Sequence, residues 1–138
     1  MSFYETVDDI TADAGIRVRA KSIEELVCKA LLATINEITD IEKVLRKEAH
    51  TIEVEGRLPF LLADIINKFL LLHETKGFVA SSCRVIEFED GKLKVELQGE
   101  KFDPKRHTPK LLIKAATYHR LKIEKEGEHL VGEVIFDI

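Results

Sequence analysis

The dipeptide Asp90-Gly91 stands between two runs in which apolar and charged residues alternate, and no other feature constrains the fold as tightly. Both residues tolerate positive φ, so a two-residue type I′ turn and a β-hairpin are predicted over Arg84 to Leu97. Pairing across that turn sets Phe88 opposite Leu93 and Ile86 opposite Val95 on one face. On the other face Glu89 meets Lys92 and Glu87 meets Lys94, opposite charges at cross-strand distance. A second hairpin is expected over Leu121 to Ile138, turning near Gly127. Its last strand carries Val134, Phe136 and Ile138 on one face and Ile135 and Asp137 on the other.

Two further strands follow from alternation, one at Ile16 to Lys21 and one at Thr51 to Glu55, the second broken by Gly56. Between them Ser22 and Glu25 form a capping-box pattern. Ile23, Leu26, Val27, Ala30, Leu31, Thr34 and Ile38 then recur at helical spacing, giving an amphipathic helix of about four turns. A second, more apolar helix starts near Pro59, continues through Leu61, Leu62, Ile65, Ile66, Phe69 and Leu72, and stops at Gly77.

Apolar residues make up 45% of the 138, enough for one core, and no linker marks a boundary, so residues 1–138 are expected to form one domain. A net charge of -4 argues against a phosphate backbone as the main partner and for a basic protein instead. No apolar run reaches membrane-spanning length, and Glu5, Asp8 and Asp9 sit where a signal peptide would need basic and apolar residues. Cys28 and Cys83, without CxxC spacing, are expected as reduced thiols in a cytoplasmic protein.

Enzymatic motifs are sparse: GxSxG, P-loop and GxGxxG are absent, and the five histidines include no HExxH. A His107 and His119 pair could form only through folding. The C-terminal strand is more suggestive, because the Asp137 side chain and an α-carboxylate on Ile138 would offer oxygens to a hard cation such as Ca²⁺ or Mg²⁺. A terminal Asp also serves simply as a solvated group at a strand edge.

Several segments, taken in order, resemble the archease family. Thr11-Ala12-Asp13-Ala14-Gly15-Ile16 is similar to its T-A-D-x-G-I signature, and Lys21 to Leu26 to the start of its first helix. Thr75-Lys76-Gly77-Phe78 resembles the turn after its second helix, and Gly99-Glu100 with Asp103, Arg106 and His107 matches a G-E-x-x-D-x-x-R-H-like stretch. Lys114 to His119 is similar to its K-A-x-T-Y-H, and Val134 to Ile138 to its V-I-F-D-I terminus. The chain departs from the pattern at Ile10, where the family has a histidine, at Arg120, where it has a glycine, and at Leu130, where it often has an aromatic.

The resemblance implies an α+β fold of mixed sheets and two helices, with the N-terminal T-A-D loop beside the C-terminal strand. It implies a calcium site formed by Asp13, Asp137 and the Ile138 carboxyl group. Asp40 is a further candidate ligand, although an Asp there can equally shape a turn. Lys114, Arg106 and Tyr118 are the residues expected on a partner surface, since exposed Arg and Tyr are enriched at interaction hot spots; Lys114 also fits as a strand's solvent-facing charge. The implied activity is non-enzymatic: activation of the catalytic subunit of the RtcB-type tRNA-splicing RNA ligase, by promoting its guanylylation and turnover. The alternatives are a chaperone-like binder of an RNA-modifying methyltransferase and a metal-dependent nuclease or phosphotransferase.

Overall fold

The computed structural model describes residues 3–8 and 14–138. A first sheet contains β1 (Glu5–Thr6), β2 (Ala14–Ala20), β6 (Ala115–Ala116), β7 (Lys122–Glu126) and β8 (His129–Asp137). The second contains β3 (Glu48–Glu55), β4 (Phe78–Glu89) and β5 (Lys92–Lys101), in the order β3-β5-β4. Two helices, α1 (Ile23–Ile38) and α2 (Phe60–Lys76), each touch strands of both sheets. The α+β expectation holds, with the pairing narrower than mixed: every described strand pair is antiparallel.

Local chemistry explains the element boundaries. Ser22 caps α1 by accepting the Glu25 N–H at 3.1 Å, and Glu25 reaches back to the Lys21 N–H at 3.3 Å, a slightly displaced capping box. Gly77 ends α2 in the left-handed region at φ 66°, its N–H donating to the His73 carbonyl at 2.8 Å. Asp90 and Gly91 both have positive φ, 52° and 76°, as a type I′ turn requires.

The predicted register is right at Phe88 and Leu93, Glu89 and Lys92, and Glu87 and Lys94. It fails one step further on. A β-bulge falls between Val85 and Glu87, so Val85 rather than Ile86 lies opposite Val95, and Ile86 is left 45% exposed. A second bulge lies between Ala80 and Ser82. β3 starts at Glu48, ahead of the strand predicted from Thr51, and pairs with β5 without a register shift.

The core is one continuous cluster in which Ile16, Val18, Leu26, Leu31, Ile65, Phe69, Phe78, Leu93, Val95 and Phe136 meet between the layers. Burial on β8 extends to the face turned away from that cluster, at Val131, Glu133 and Ile135. At the edge of this sheet the N-terminal segment continues the β1–β2 ladder, with Val7 donating its N–H to the Gly15 carbonyl at 3.0 Å.

The cysteine expectation is overturned. Cys28 on α1 and Cys83 on β4 form a disulfide, with Cα atoms 5.4 Å apart. Helix and sheet packing brings them together across 55 residues of sequence, a separation that carries no spacing signal. The thiol argument for a reducing compartment therefore falls away. Among the described residues no helix is long and apolar enough to cross a membrane.

Candidate functional site

β8 runs through the centre of the first sheet, with β2 on one side and β6 and β7 on the other. At its C-terminal end Ala14 of β2 pairs with Phe136, while Ala115 of β6 pairs with Asp137. The Lys114 N–H donates to the Asp137 carbonyl at 2.8 Å. Two of the sequence candidates, Lys114 and Asp137, thus meet through the backbone, and both are exposed. Asp13 lies outside the described residues.

β6 is only two residues long, and a side chain holds it in place. Asn67 on α2 donates its amide to the Ala116 carbonyl at 3.0 Å and accepts the Ala116 N–H at 2.8 Å, filling the place of a neighbouring strand. The Thr117 N–H and hydroxyl both donate to the Ile135 carbonyl at 2.9 Å, so the segment is fixed on its other side as well. Tyr118 follows, 54% exposed, with its hydroxyl donating to Asp64 at 2.5 Å and its ring 5.0 Å from that of Phe60. The bond to Asp64 raises the phenol pKa, since ionisation would forfeit the donated proton beside a carboxylate.

Arg106 belongs to a separate constellation centred on Glu100, whose exposure is only 4%. Glu100 accepts the Leu45 N–H at 2.6 Å, His107 Nε2–H at 3.1 Å and a bond from Arg106, with Lys47 Nζ at 3.7 Å. Burial by itself would raise the carboxyl pKa. The three donors and the Arg106 charge outweigh it and bring the value from 4.5 down to about 2. His107 Nδ1 accepts the Asp103 N–H at 2.8 Å, so the ring proton sits on Nε2 and both nitrogens are committed. That occupancy removes His107 as a metal ligand and with it the His107 and His119 pair.

Asp40 caps a 3-10 turn, Ile41–Lys43, accepting the Glu42 N–H at 3.0 Å with one oxygen, as a turn-shaping Asp does. Ile138, 40% exposed, follows β8 directly. Among the described residues no three His, Cys, Asp or Glu side chains converge to hold a metal ion.

Sequence reading gave Glu100 no role, considered His107 only for a pair with His119, and missed Asn67 and Asp64 altogether. A polar Asn among the apolar residues of α2 is the signal that could have revealed Asn67, because an amide withdrawn from water needs partners.

The Archease protein family (MTH1598/TM1083) matches residues 4–138. The protein archease of Pyrococcus furiosus is 42% identical over 119 residues, covering 83% of this chain and 84% of that protein. In solution, protein 1598 of Methanobacterium thermoautotrophicum has a similar fold, with a TM-score of 0.78 at 26% identity and both chains covered completely. The crystal structure of a Thermotoga maritima protein described as an archease, possible chaperone, is similar with a TM-score of 0.65 at 25% identity, covering 97% of each chain. Signature order, fold and these matches agree, and the chain belongs to the archease family.

Proposed function

We propose that this chain is a non-enzymatic accessory protein that activates a tRNA-splicing RNA ligase, and that it does so through a calcium site at the end of β8. The observation that carries this reading is the meeting of β2, β6 and β8 beside the exposed Asp137. Asp13 directly precedes Ala14, which pairs with Phe136. The ligand set is Asp13, Asp137 and a backbone oxygen of Ile138, with Asp40 as a further acid. These are hard oxygen donors, and the donor chemistry fits Ca²⁺ better than a thiophilic metal.

Bound calcium would supply a compact positive charge that lets neighbouring carboxylates share one corner of the sheet. The chain's own residues do the rest. Asn67 holds β6 so that Lys114 stays against Asp137, and Tyr118 and Phe60 offer an exposed aromatic pair on the α2 side. Arg106, partly exposed beside Glu100, is a further cation for a partner to meet. Accessory activation then proceeds by favouring the reactive conformation of the ligase or by presenting the carboxylate and cation to it.

The test is guanylylation of the cognate ligase with and without this protein, and with Asp137→Asn. Faster guanylylation with the native chain and loss with the variant are expected, with circular dichroism unchanged. Thermal unfolding supplies a second readout: added Ca²⁺ should raise the Tm of the native chain and not that of Asp13→Ala. Equal ligase rates with and without the protein overturn the reading. Capture of an RNA methyltransferase in place of the ligase, or cleavage of RNA by the purified chain with Mg²⁺ or Mn²⁺, would assign it one of the other two roles.

A further inference from the structure

The second sheet has two edges of different character. β4 carries two bulges, at Ala80/Ser82 and Val85/Glu87, and bulges twist an edge out of the plane another strand needs. β3 runs from Glu48 to Glu55 in unbroken register, and among the described residues β5 alone pairs with it. The Gly56 N–H donates to the Gly91 carbonyl at 2.9 Å, which fixes the parity of the ladder. Val54, Ile52, His50 and Glu48 turn their backbone groups toward β5. Ala49, Thr51, Glu53 and Glu55 turn theirs outward, and all four residues are exposed.

Beside that edge lies a groove of about 550 Å³, walled on its far side by α2. Glu53, Glu55 and Asp64 line it against one cation, Lys68, with the half-exposed Leu71 as an apolar floor. At the other end of β3 the flanking hollow has mixed charge, with Glu48, His50 and Thr75 beside Lys76 and Lys101. The edge therefore combines a regular row of outward amide and carbonyl groups with an acidic end.

We propose that β3 is a docking edge for an extended segment of a protein partner, which adds a fourth strand to the sheet and places Lys or Arg side chains against Glu53, Glu55 and Asp64. Backbone hydrogen bonds supply the affinity in this mode of recognition, and the charge at one end sets the position. A second copy of this chain, paired antiparallel, would set the Glu53 and Glu55 end against the Ala49 end of its neighbour, and sedimentation of the free chain distinguishes that occupant from a separate partner. The groove shares Asp64 with Tyr118 and Asn67 with the clasp on β6, while the outward backbone groups of β3 do not depend on the calcium site.

The probe is a blocked heptapeptide of alternating Val and Thr with two Arg residues in one half, made in both chain polarities. Controls are its Glu-for-Arg counterpart and a form N-methylated on alternate amides. Amide spectra of the ¹⁵N-labelled chain should shift at Ala49, Thr51, Glu53 and Glu55, and hydrogen exchange there should slow on binding. One polarity of the Arg peptide is expected to bind at least about tenfold more tightly than the acidic and N-methylated forms, and less tightly as salt rises. Thr51→Pro removes one outward N–H and leaves the β5 ladder intact, so it should abolish binding in a folded chain. The double change Glu53→Lys with Glu55→Lys should invert the charge preference. If Thr51→Pro unfolds the chain, the N-methylated peptide tests the same hydrogen bonds on the native protein. Equal binding of the Arg and Glu peptides, shifts centred elsewhere, or sedimentation of the free chain as a dimer paired through β3 would each overturn the proposal.

Discussion

Replacing Glu100 with Gln keeps the shape of the side chain and removes the charge that three donors converge on. The Leu45 N–H and His107 Nε2–H retain an oxygen to meet, while Arg106 loses its ionic partner and one position on the new amide faces it with a donor. A hydrogen bond to a charged group contributes about 1.5–3 kcal/mol, and unpairing a buried ionic partner costs about 3–5 kcal/mol. Arg106 is 39% exposed and can turn to water. Solvent therefore screens part of the pair, which places the expected loss at about 2–4 kcal/mol. For a chain of this length that is a Tm drop of roughly 6–15 °C. Urea unfolding at a series of pH values separates the cause. Folding draws the Glu100 carboxyl down to about 2 from 4.5, so its contribution is complete above pH 4.5 and is lost as the pH falls toward 2. The native and Glu100→Gln curves should therefore converge as the pH falls from about 5 to about 2, because protonated Glu100 resembles Gln. A loss under about 1 kcal/mol at neutral pH, or a difference that stays constant with pH, would refute the argument from charge.

Other perturbations have equally definite outcomes. Reduction, or Cys28→Ser, opens the loop between two cysteines separated by 55 residues. It should destabilise the chain by up to about 4 kcal/mol on loop-closure entropy, read as a lower urea midpoint. Gly99→Ala should fail to fold stably, since a Cβ there would lie 1.9 Å from the Val79 carbonyl oxygen. Soluble yield with circular dichroism would report that overpacking. Asn67→Ala leaves the Ala116 N–H and carbonyl without their partner, a loss of about 2–3 kcal/mol with faster exchange of the Ala116 amide. Asp64→Asn should lower the raised Tyr118 phenol pKa toward its ordinary value, followed by ultraviolet titration.

The parts legible in the sequence were those dictated by neighbours along the chain. Asp90-Gly91 set a turn and hence a register, and Ser22 and Gly77 marked helix ends by their own hydrogen bonds. The register failed at Ile86 because a bulge answers to the twist of the whole sheet, which no alternation encodes. Glu48 to His50 was missed as strand because Ala49 interrupts the alternation. Cys28 and Cys83 meet through helix-on-sheet packing, and Glu100 collects a backbone N–H from Leu45, 55 positions away in the chain. Of the candidate site, Lys114 and Asp137 do come together, whereas Arg106 lies in the Glu100 cluster and Tyr118 against α2. Neither separation could be read from spacing, because β6 is too short to carry a periodic pattern.

The clasp between Asn67 and Ala116 gives the site a mechanical property of its own. The Asn67 amide ties the short strand β6 to α2, while its two-residue ladder and the bonds of Lys114 and Thr117 tie it to β8, so it couples the helix to the end of the sheet. Force or strain on α2 reaches Lys114 and Tyr118 directly, without passing through the core. A protein that grips α2 from outside would thereby set how firmly the chain presents its lysine and tyrosine.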